Sequence, residues 1–157
     1  MASLWFIVAS GPPRDKRYPT SSEATDSTAY NPSDYTGPMD KPTTLHVDKP
    51  WGSFDQYALN TPCTVKILTC NPGQKLSLQR HSHRGELWVA LDPGVVVDLD
   101  GEELRPAVGG EIWLPLGSTH RLRCDAETAA PVRVLEISLG VFDEADIERL
   151  QDDYGRR

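Results

Sequence analysis

The sequence predicts an all-β protein, either a sandwich or a barrel, and three observations support this prediction. From about residue 49 onward, short β-branched runs are separated by turn residues. The turns recur at intervals of about 8–12 residues, a spacing typical of antiparallel sheets. No long helical periodicity separates the runs. A chain of 157 residues can bury one such core without disulfides.

The predicted elements can be placed in order along the chain. Residues 1–44 are predicted to form a disordered or loosely attached arm, because Pro, Ser, Thr and Asp crowd this segment. Residues 45–157 are predicted to form one domain. Its strands and turns are TVKILTC before Asn71-Pro72-Gly73, ELWVALD before Pro93-Gly94, VVVDLD before Gly101, a turn at Gly109-Gly110, and VRVLEISL. The tail DEADIERLQDDYGR predicts a short C-terminal helix with Asp143 as its N-cap.

The charge and the cysteines exclude several function classes. A net charge of -7 and a pI near 5.0 disfavour nucleic-acid binding, which requires a basic surface. Three cysteines without CxxC spacing indicate neither a disulfide scaffold nor a thiolate zinc site. The apolar run LWFIVA lacks the basic flank of a signal peptide, and no run has the roughly 20 apolar residues of a membrane helix. We therefore expect a cytoplasmic protein that binds a small molecule.

The stretch RHSHRGELWVA holds the first of two groups of metal-ligand residues. Period-2 alternation on a strand would place Gln79, His81 and His83 on one face. A buried imidazole needs a partner, and neutral imidazole is the most common metal ligand. Glu86 is out of phase with the histidines, but a bulge at Gly85 would bring it to the same face. The pattern therefore predicts both histidines and Glu86 as ligands, with Gln79 as a ligand or an orienting partner.

The second group lies in GGEIWLPLGSTHRLRC, where Pro115 and Gly117 predict a tight turn before a strand that begins at His120. His120 is the natural third histidine of a site with one glutamate, a donor set that suits divalent transition metals. An HxH pair alone is a weak signal, and surface or satisfied core histidines are the alternative. Two such groups on short strands favour a metal site.

These motifs also carry a resemblance to a known family. PGQKLSLQRHSHRGE and GGEIWLPLGSTH resemble the two motifs of cupins. Together with KPWGSF, ELW, DGEE, LPLGSTHRL and DIERLQDDYGR, they resemble the cupin domain of type II mannose-6-phosphate isomerases, a module often fused to mannose-1-phosphate guanylyltransferase. The resemblance runs from about Lys49 to Arg157. Nothing in the sequence resembles a Gly-rich nucleotide-binding loop, so nucleotide transfer is not expected.

The resemblance implies a cupin double-stranded β-helix, or jelly-roll barrel, around a divalent metal ion. It also implies interconversion of mannose 6-phosphate and fructose 6-phosphate. The chain departs from the family at Leu87, where members often have histidine, and near Cys124, where asparagine is common. Two alternatives therefore stay open. One is a non-catalytic cupin that binds a sugar or a sugar nucleotide, and the other is an iron-dependent cupin oxygenase, which the same donor set would serve.

Arg84 and Lys66 are the predicted catalytic residues. An aldose-ketose isomerase needs an anchor for phosphate or enediolate, and the planar guanidinium of Arg84 suits this role. Lys66 is a candidate for proton transfer, along with a ligand-adjacent glutamate or a metal-bound water. The alternatives are a solvated Arg84 and a Lys66 on the polar side of a half-exposed strand.

The expected cofactor is a divalent metal ion. Zinc is the first choice, and manganese, cobalt, nickel or iron are alternatives. The expected ligand is a small sugar phosphate, with neither nucleic acid nor membrane as a partner. A homodimer is also predicted, because exposed strand edges often pair.

Overall fold

The computed structural model describes residues 40–156, and within them the chain forms eleven strands. The strands are β1 (Leu45–Lys49), β2 (Gly52–Gln56), β3 (Cys63–Cys70), β4 (Leu78–Arg80), β5 (Arg84–Ala90), β6 (Val95–Leu99), β7 (Glu102–Leu104), β8 (Glu111–Leu114), β9 (His120–Cys124), β10 (Val132–Gly140) and β11 (Glu148–Gln151). Within this part of the chain, no helix has the length and apolar character needed to cross a membrane. The predicted N-terminal arm falls mainly outside the described residues.

The strands form one hairpin and two larger sheets. The hairpin pairs β1 with β2. One larger sheet has the order β3-β10-β5-β8, and the other has the order β11-β4-β9-β6-β7. All strand pairs in the two larger sheets are antiparallel. The all-β prediction is confirmed, and most neighbouring strands are distant in sequence, as expected for a jelly roll.

The main core is built from apolar side chains of both larger sheets. The four-stranded sheet supplies Cys70, Trp88, Ala90, Ile112, Leu114, Val132 and Val134, and the five-stranded sheet supplies Val95, Val97, Leu122 and Cys124. Alternate residues of a strand point to the same face, so the period-2 runs of the sequence supply this core. Burial of each large apolar side chain stabilises the folded state by about 1.5–3 kcal/mol relative to leaving that side chain exposed.

A smaller apolar cluster covers the opposite face of the four-stranded sheet. Leu87, Ile137 and Leu139 are its buried members. On β5, Leu87 alternates with Trp88, which belongs to the main core, so the two side chains point to opposite faces. Position 87 is therefore an outer-face position.

The predicted C-terminal helix is wrong for most of its length. A 3-10 helix covers only Glu144–Asp146, and Asp143 does cap it, because its side chain accepts a hydrogen bond from the Ala145 N–H at 2.9 Å. The chain then forms β11, which pairs with β4 and is the edge strand of the five-stranded sheet. A bidentate ion pair joins Arg80 on β4 to Glu148, with Nε donating to Oε2 at 2.7 Å and Nη2 donating to Oε1 at 3.0 Å. Sheet pairing has therefore overridden the helical propensity of this segment.

Candidate metal centre

The histidine stretch is not one continuous strand. β4 ends at Arg80 in the five-stranded sheet, and β5 begins at Arg84 in the four-stranded sheet, so residues 81–83 connect the two sheets. His81 is 2% exposed. The side chain of His83 is 68% exposed, and its Nδ1 lies 2.9 Å from Oδ1 of Asp146. The two side chains therefore point to different environments, and the structure does not bring His83 together with His81 as the sequence predicted.

Glu86 reaches the interior without the predicted bulge. Gly85 lies opposite Leu139 and Glu86 opposite Ser138, so the register of β5 against β10 is regular and the bulge prediction is wrong. The phase argument failed because the histidines are not on the strand that carries Glu86. Glycine is needed at position 85 for another reason, since a Cβ there would lie 2.5 Å from Cη2 of Trp113.

His81, Glu86 and His120 form a compact buried group, named here the triad. Nε2 of His81 lies 3.3 Å from Oε1 of Glu86, and Nε2 of His120 lies 3.7 Å from Oε2. One ligand atom from each residue lies within 4.8 Å of the others. All three side chains are 2% exposed. Two imidazoles and one carboxylate are ligands of zinc, manganese and iron, so this group can hold a divalent metal ion.

The hydrogen bonds of His120 direct one ring nitrogen into the triad. Its Nδ1 lies 3.1 Å from the carbonyl oxygen of Ser118, so Nδ1 carries the proton and donates it. Nε2 then presents its lone pair toward Glu86, and this buried atom has no hydrogen-bond partner. A carbonyl behind a histidine is the usual way in which a metal ligand is oriented. The triad therefore fits a metal ion, which would satisfy a buried lone pair.

The pKa values of the triad also favour ligation. Burial lowers the pKa of His81 to about 4 and lowers the pKa of His120 as well. Both imidazoles are therefore neutral near pH 7, the form that binds metals. Burial alone would raise the pKa of Glu86, but the neighbouring His81, His120 and Arg84 hold it below its ordinary value. The carboxylate also accepts a hydrogen bond from the indole nitrogen of Trp88 at 3.1 Å.

Arg84 is directed at the triad and not at solvent. Its side chain is 2% exposed, and Nε donates to Oε1 of Glu86 at 2.8 Å. Nη2 lies 3.1 Å from Nε2 of His81, and Nη1 donates to the carbonyl oxygen of Asp143 at 3.2 Å. The reading of Arg84 as a solvated charge does not agree with this burial. One N–H on each terminal nitrogen is left over from these bonds.

Lys66 lies on the same side of the sheet, across from Glu136. Its Nζ lies 3.8 Å from Oε1 of Glu136, and the side chain is 38% exposed. Nζ also lies 3.6 Å from the ring centroid of Phe142, and Cζ of Arg84 lies 4.4 Å from the same centroid. The two predicted catalytic cations therefore share one aromatic neighbour. Because its side chain is partly exposed, Lys66 lies between the buried Glu136 and solvent.

Gln79 lies outside the triad but next to it. It pairs directly opposite His120 across β4 and β9, so the two side chains project from the same face of the sheet. Its Oε1 accepts a hydrogen bond from the Ser77 hydroxyl at 3.1 Å. The described hydrogen bonds of Gln79 do not include one to His120, so strand pairing alone places it there.

Two residues near the triad were missed by the sequence reasoning. Glu136 is 4% exposed and Ser138 is fully buried, and both project from β10 toward the interior. The Ser138 hydroxyl lies 3.4 Å from Oε1 of Glu86 and 3.3 Å from Oε1 of Glu136. A signal was available, because period-2 alternation in VRVLEISL puts a glutamate and a serine on the apolar face of the strand.

Comparison with known families identifies the domain. The model of the family "Mannose-6-phosphate isomerase C-terminal" matches residues 39–152, which is most of the chain and includes the whole triad. The chain belongs to this family.

The mannose-6-phosphate isomerase C-terminal family also includes the chain's curated relatives. The alginate biosynthesis protein AlgA of Pseudomonas putida is 36% identical over 113 residues, which is 71% of this chain and 23% of AlgA. A mannose-1-phosphate guanylyltransferase of Escherichia coli is 35% identical over 111 residues, which is 70% of this chain and 23% of the enzyme. The chain thus spans less than a quarter of the length of these relatives.

A solved structure agrees with the family's fold. The L-ribose isomerase of Cellulomonas parahominis superposes with a TM-score of 0.53 at 13% identity, covering 59% of each chain. This likeness shows the fold alone.

The two departures from the family lie outside the triad. Leu87 packs in the outer cluster, and Cys124 packs in the main core, where its Sγ lies 3.8 Å from the carbonyl oxygen of Asp125. Neither residue belongs to the triad.

Proposed function

We propose that this chain is a metal-dependent aldose-ketose isomerase that interconverts mannose 6-phosphate and fructose 6-phosphate. The observation that carries the proposal is the buried triad with two neutral histidines, in a chain of the mannose-6-phosphate isomerase C-terminal family. Zinc is the proposed metal, with manganese, cobalt, nickel or iron as substitutes. The cytoplasm and a homodimer are part of the same proposal.

His81, Glu86 and His120 would hold the metal ion. A bound divalent ion supplies a Lewis acid that polarises the carbonyl and hydroxyl oxygens of an open-chain sugar. The chain itself supplies the surrounding groups. Arg84 holds the carboxylate of Glu86 at 2.8 Å and so fixes the orientation of that ligand.

The phosphate of the substrate would be bound by cations at the solvent side of the triad. Lys66 is suited to this role because it is partly exposed while it faces the interior. Arg84 can contribute through the N–H groups that its present bonds leave over. Buried positive charge attracts a phosphate dianion more strongly than exposed charge does, since solvent screening is weaker there.

The experiment is conversion of mannose 6-phosphate to fructose 6-phosphate by the purified chain, before and after chelation and with each metal restored. We expect turnover that chelation abolishes and that zinc or one of its substitutes restores. Absence of turnover with every metal would contradict the proposal. Retained sugar-phosphate binding in that case would favour a non-catalytic cupin, and oxygen consumption with iron would favour an oxygenase.

Two histidine variants form a matched pair for the same assay. His81→Ala removes a triad member and should lose both bound metal and turnover. His83→Ala removes the exposed histidine of the same loop and should keep both the bound metal and the turnover. Loss of metal from the His83 variant alone would contradict the ligand assignment.

A further inference from the structure

Glu136 is a buried carboxylate that the triad does not use. It lies at the middle of β10, opposite Lys66 on β3 and opposite Trp88 on β5. Its side chain is 6% exposed. Val132 and Val134, which alternate with it on β10, belong to the main core. The carboxylate therefore projects into the interior of the domain, on the face that carries Glu86.

The hydrogen bonds of Glu136 leave much of its capacity free. The described contacts of its carboxylate are the Ser138 hydroxyl at 3.3 Å and the Lys66 ammonium at 3.8 Å. The same hydroxyl lies 3.4 Å from Glu86 and has only one proton, so it cannot serve both carboxylates at once. A nearly buried carboxylate with such weak partners is costly to the fold and indicates a functional role.

The other acidic groups of the site are already engaged. Oε1 of Glu86 accepts from Arg84 at 2.8 Å, and Oε2 accepts from Trp88 at 3.1 Å. Asp146 accepts from the backbone N–H groups of Ser82 and His83 at 3.0–3.1 Å. Glu86 and Asp146 thus each accept hydrogen bonds of 3.1 Å or shorter, whereas the described contacts of Glu136 are all longer, so its carboxylate is the least engaged of the three.

We infer that Glu136 is the catalytic acid-base residue that moves the proton between C1 and C2 of the sugar. This inference rests on the isomerase function proposed above. In this site Glu86 would be a ligand of the metal ion, and Arg84 fixes the orientation of Glu86. Glu136 is the residue that carries the proton. Lys66, beside Glu136, is the cation that stabilises the carboxylate form between transfers.

The transfer balances within the substrate and one side chain. The carboxylate of Glu136 takes the proton from C2 of the open-chain aldose, and the electron pair of the broken C2–H bond forms the C1=C2 bond of an enediolate. The π electron pair of the C1=O1 bond moves onto O1. The acid form of Glu136 then returns the proton to C1, and the hydroxyl proton of O2 passes to O1. The product is the ketose, and no oxidant, reductant or further reactant is needed.

The protonation behaviour of Glu136 suits this task. Burial is the largest influence on the carboxyl group of Glu136 and raises its pKa above the ordinary value, against the opposing charge of Lys66. A group with a pKa near the working pH can both accept and return a proton.

The test compares Glu136→Gln and Glu136→Asp with the wild-type chain, loaded with the metal that supports turnover. Glutamine keeps the size and removes the base, so turnover should fall by about 10²–10⁴-fold. Incorporation of deuterium from D₂O into the sugar should fall equally, while metal content and melting temperature are retained. Aspartate keeps the carboxylate and should recover part of both rates. Glu102→Gln, an exposed glutamate on β7, is the matched control and should match the wild type.

The outcomes separate this inference from the function on which it rests. A wild-type chain without turnover would overturn the isomerase and the role of Glu136 together. An active wild type with a Glu136→Gln variant within a few-fold of it would overturn the role of Glu136 alone. Loss of metal in parallel with turnover would also overturn it, because Glu136 would then act through the metal site.

Discussion

At the scale of single residues, Gly140 controls the position of the loop that carries His81. It ends β10 with a φ of +109°, and a Cβ there would lie 2.5 Å from the carbonyl oxygen of His83. The clash is with backbone atoms, which cannot move aside as a flexible side chain can. Glycine is therefore required both by the backbone angle and by the close approach.

Gly140→Ala should destabilise the domain by at least about 2 kcal/mol, because strain and overlap add. Urea denaturation measures the loss. Gly52→Ala is the control, since Gly52 also has positive φ, +137°, but nothing lies within 4 Å of its added Cβ. Equal losses in the two variants would show that backbone angle alone matters and that the contact with His83 does not.

At the scale of elements, the segment after β10 fastens the loop between β4 and β5. The carboxylate of Asp146, in the 3-10 helix, accepts from the N–H groups of Ser82 and His83 and lies 2.9 Å from Nδ1 of His83. Burial alone would raise the pKa of Asp146, but these N–H groups and the nearby charges lower it below its ordinary value of 3.8. The loop therefore depends on a charged Asp146.

Asp146→Asn should lower the free energy of unfolding at neutral pH by about 1–3 kcal/mol, as expected for hydrogen bonds to a charged group. The folded-state pKa is depressed, so this contribution is complete above about pH 4 and is lost as the pH falls through the folded pKa. The difference between variant and wild type should therefore shrink in acid, as measured by urea denaturation from pH 7 to pH 3. Asp153→Asn, at an exposed ion pair with Lys75, is the control. A difference that is constant with pH would exclude a role for the charge.

The sequence predicts best those strands whose period-2 pattern is complete within one continuous run of residues. TVKILTC, ELWVALD and VRVLEISL became β3, β5 and β10, because each run carries its own period-2 pattern. The break between β4 and β5 and the strand β11 were not predictable in this way. Both depend on which distant strand offers a free edge, and that information is not in the run itself.

The same distinction applies to the site. His81, Glu86 and His120 were identifiable because their side chains are typical ligands within recognisable motifs. Ser138 lies 52 residues from Glu86 in sequence, and only the register of β10 against β5 brings them together. Alternation in VRVLEISL does place Glu136 on the apolar face of its strand, but its nearness to Lys66 and to the triad likewise depends on the register. His83 was expected beside His81 because the phase of one strand was extended across what is a connection between two sheets.

At the scale of the whole molecule, the triad connects the two larger sheets. Glu86 comes from β5 of the four-stranded sheet, His120 from β9 of the five-stranded sheet, and His81 from the connection between them. A metal ion held by all three would bind the folded domain and not the unfolded chain. Binding would therefore stabilise the whole fold.

Zinc or manganese at about 100 times its dissociation constant should stabilise the wild type by about 2.7 kcal/mol and raise its melting temperature by about 10 °C. Thermal unfolding with and without metal measures this shift. The double variant with His81→Ala and His120→Ala should remain folded and show no shift. An undiminished shift in the double variant would place the metal elsewhere.

The fastening of the loop by Asp146 also has a consequence for the order of synthesis. Ser82 and Asp146 are 64 residues apart, so the loop leaves the ribosome long before its anchor is made. At about 5–20 residues per second, this interval lasts roughly 3–13 seconds. During that time β4 has no β11 to pair with, and the loop that carries His81 lacks its hydrogen bonds to Asp146. We therefore expect a nascent chain to hold His81 in position for metal binding only after the segment that follows β10 has been made.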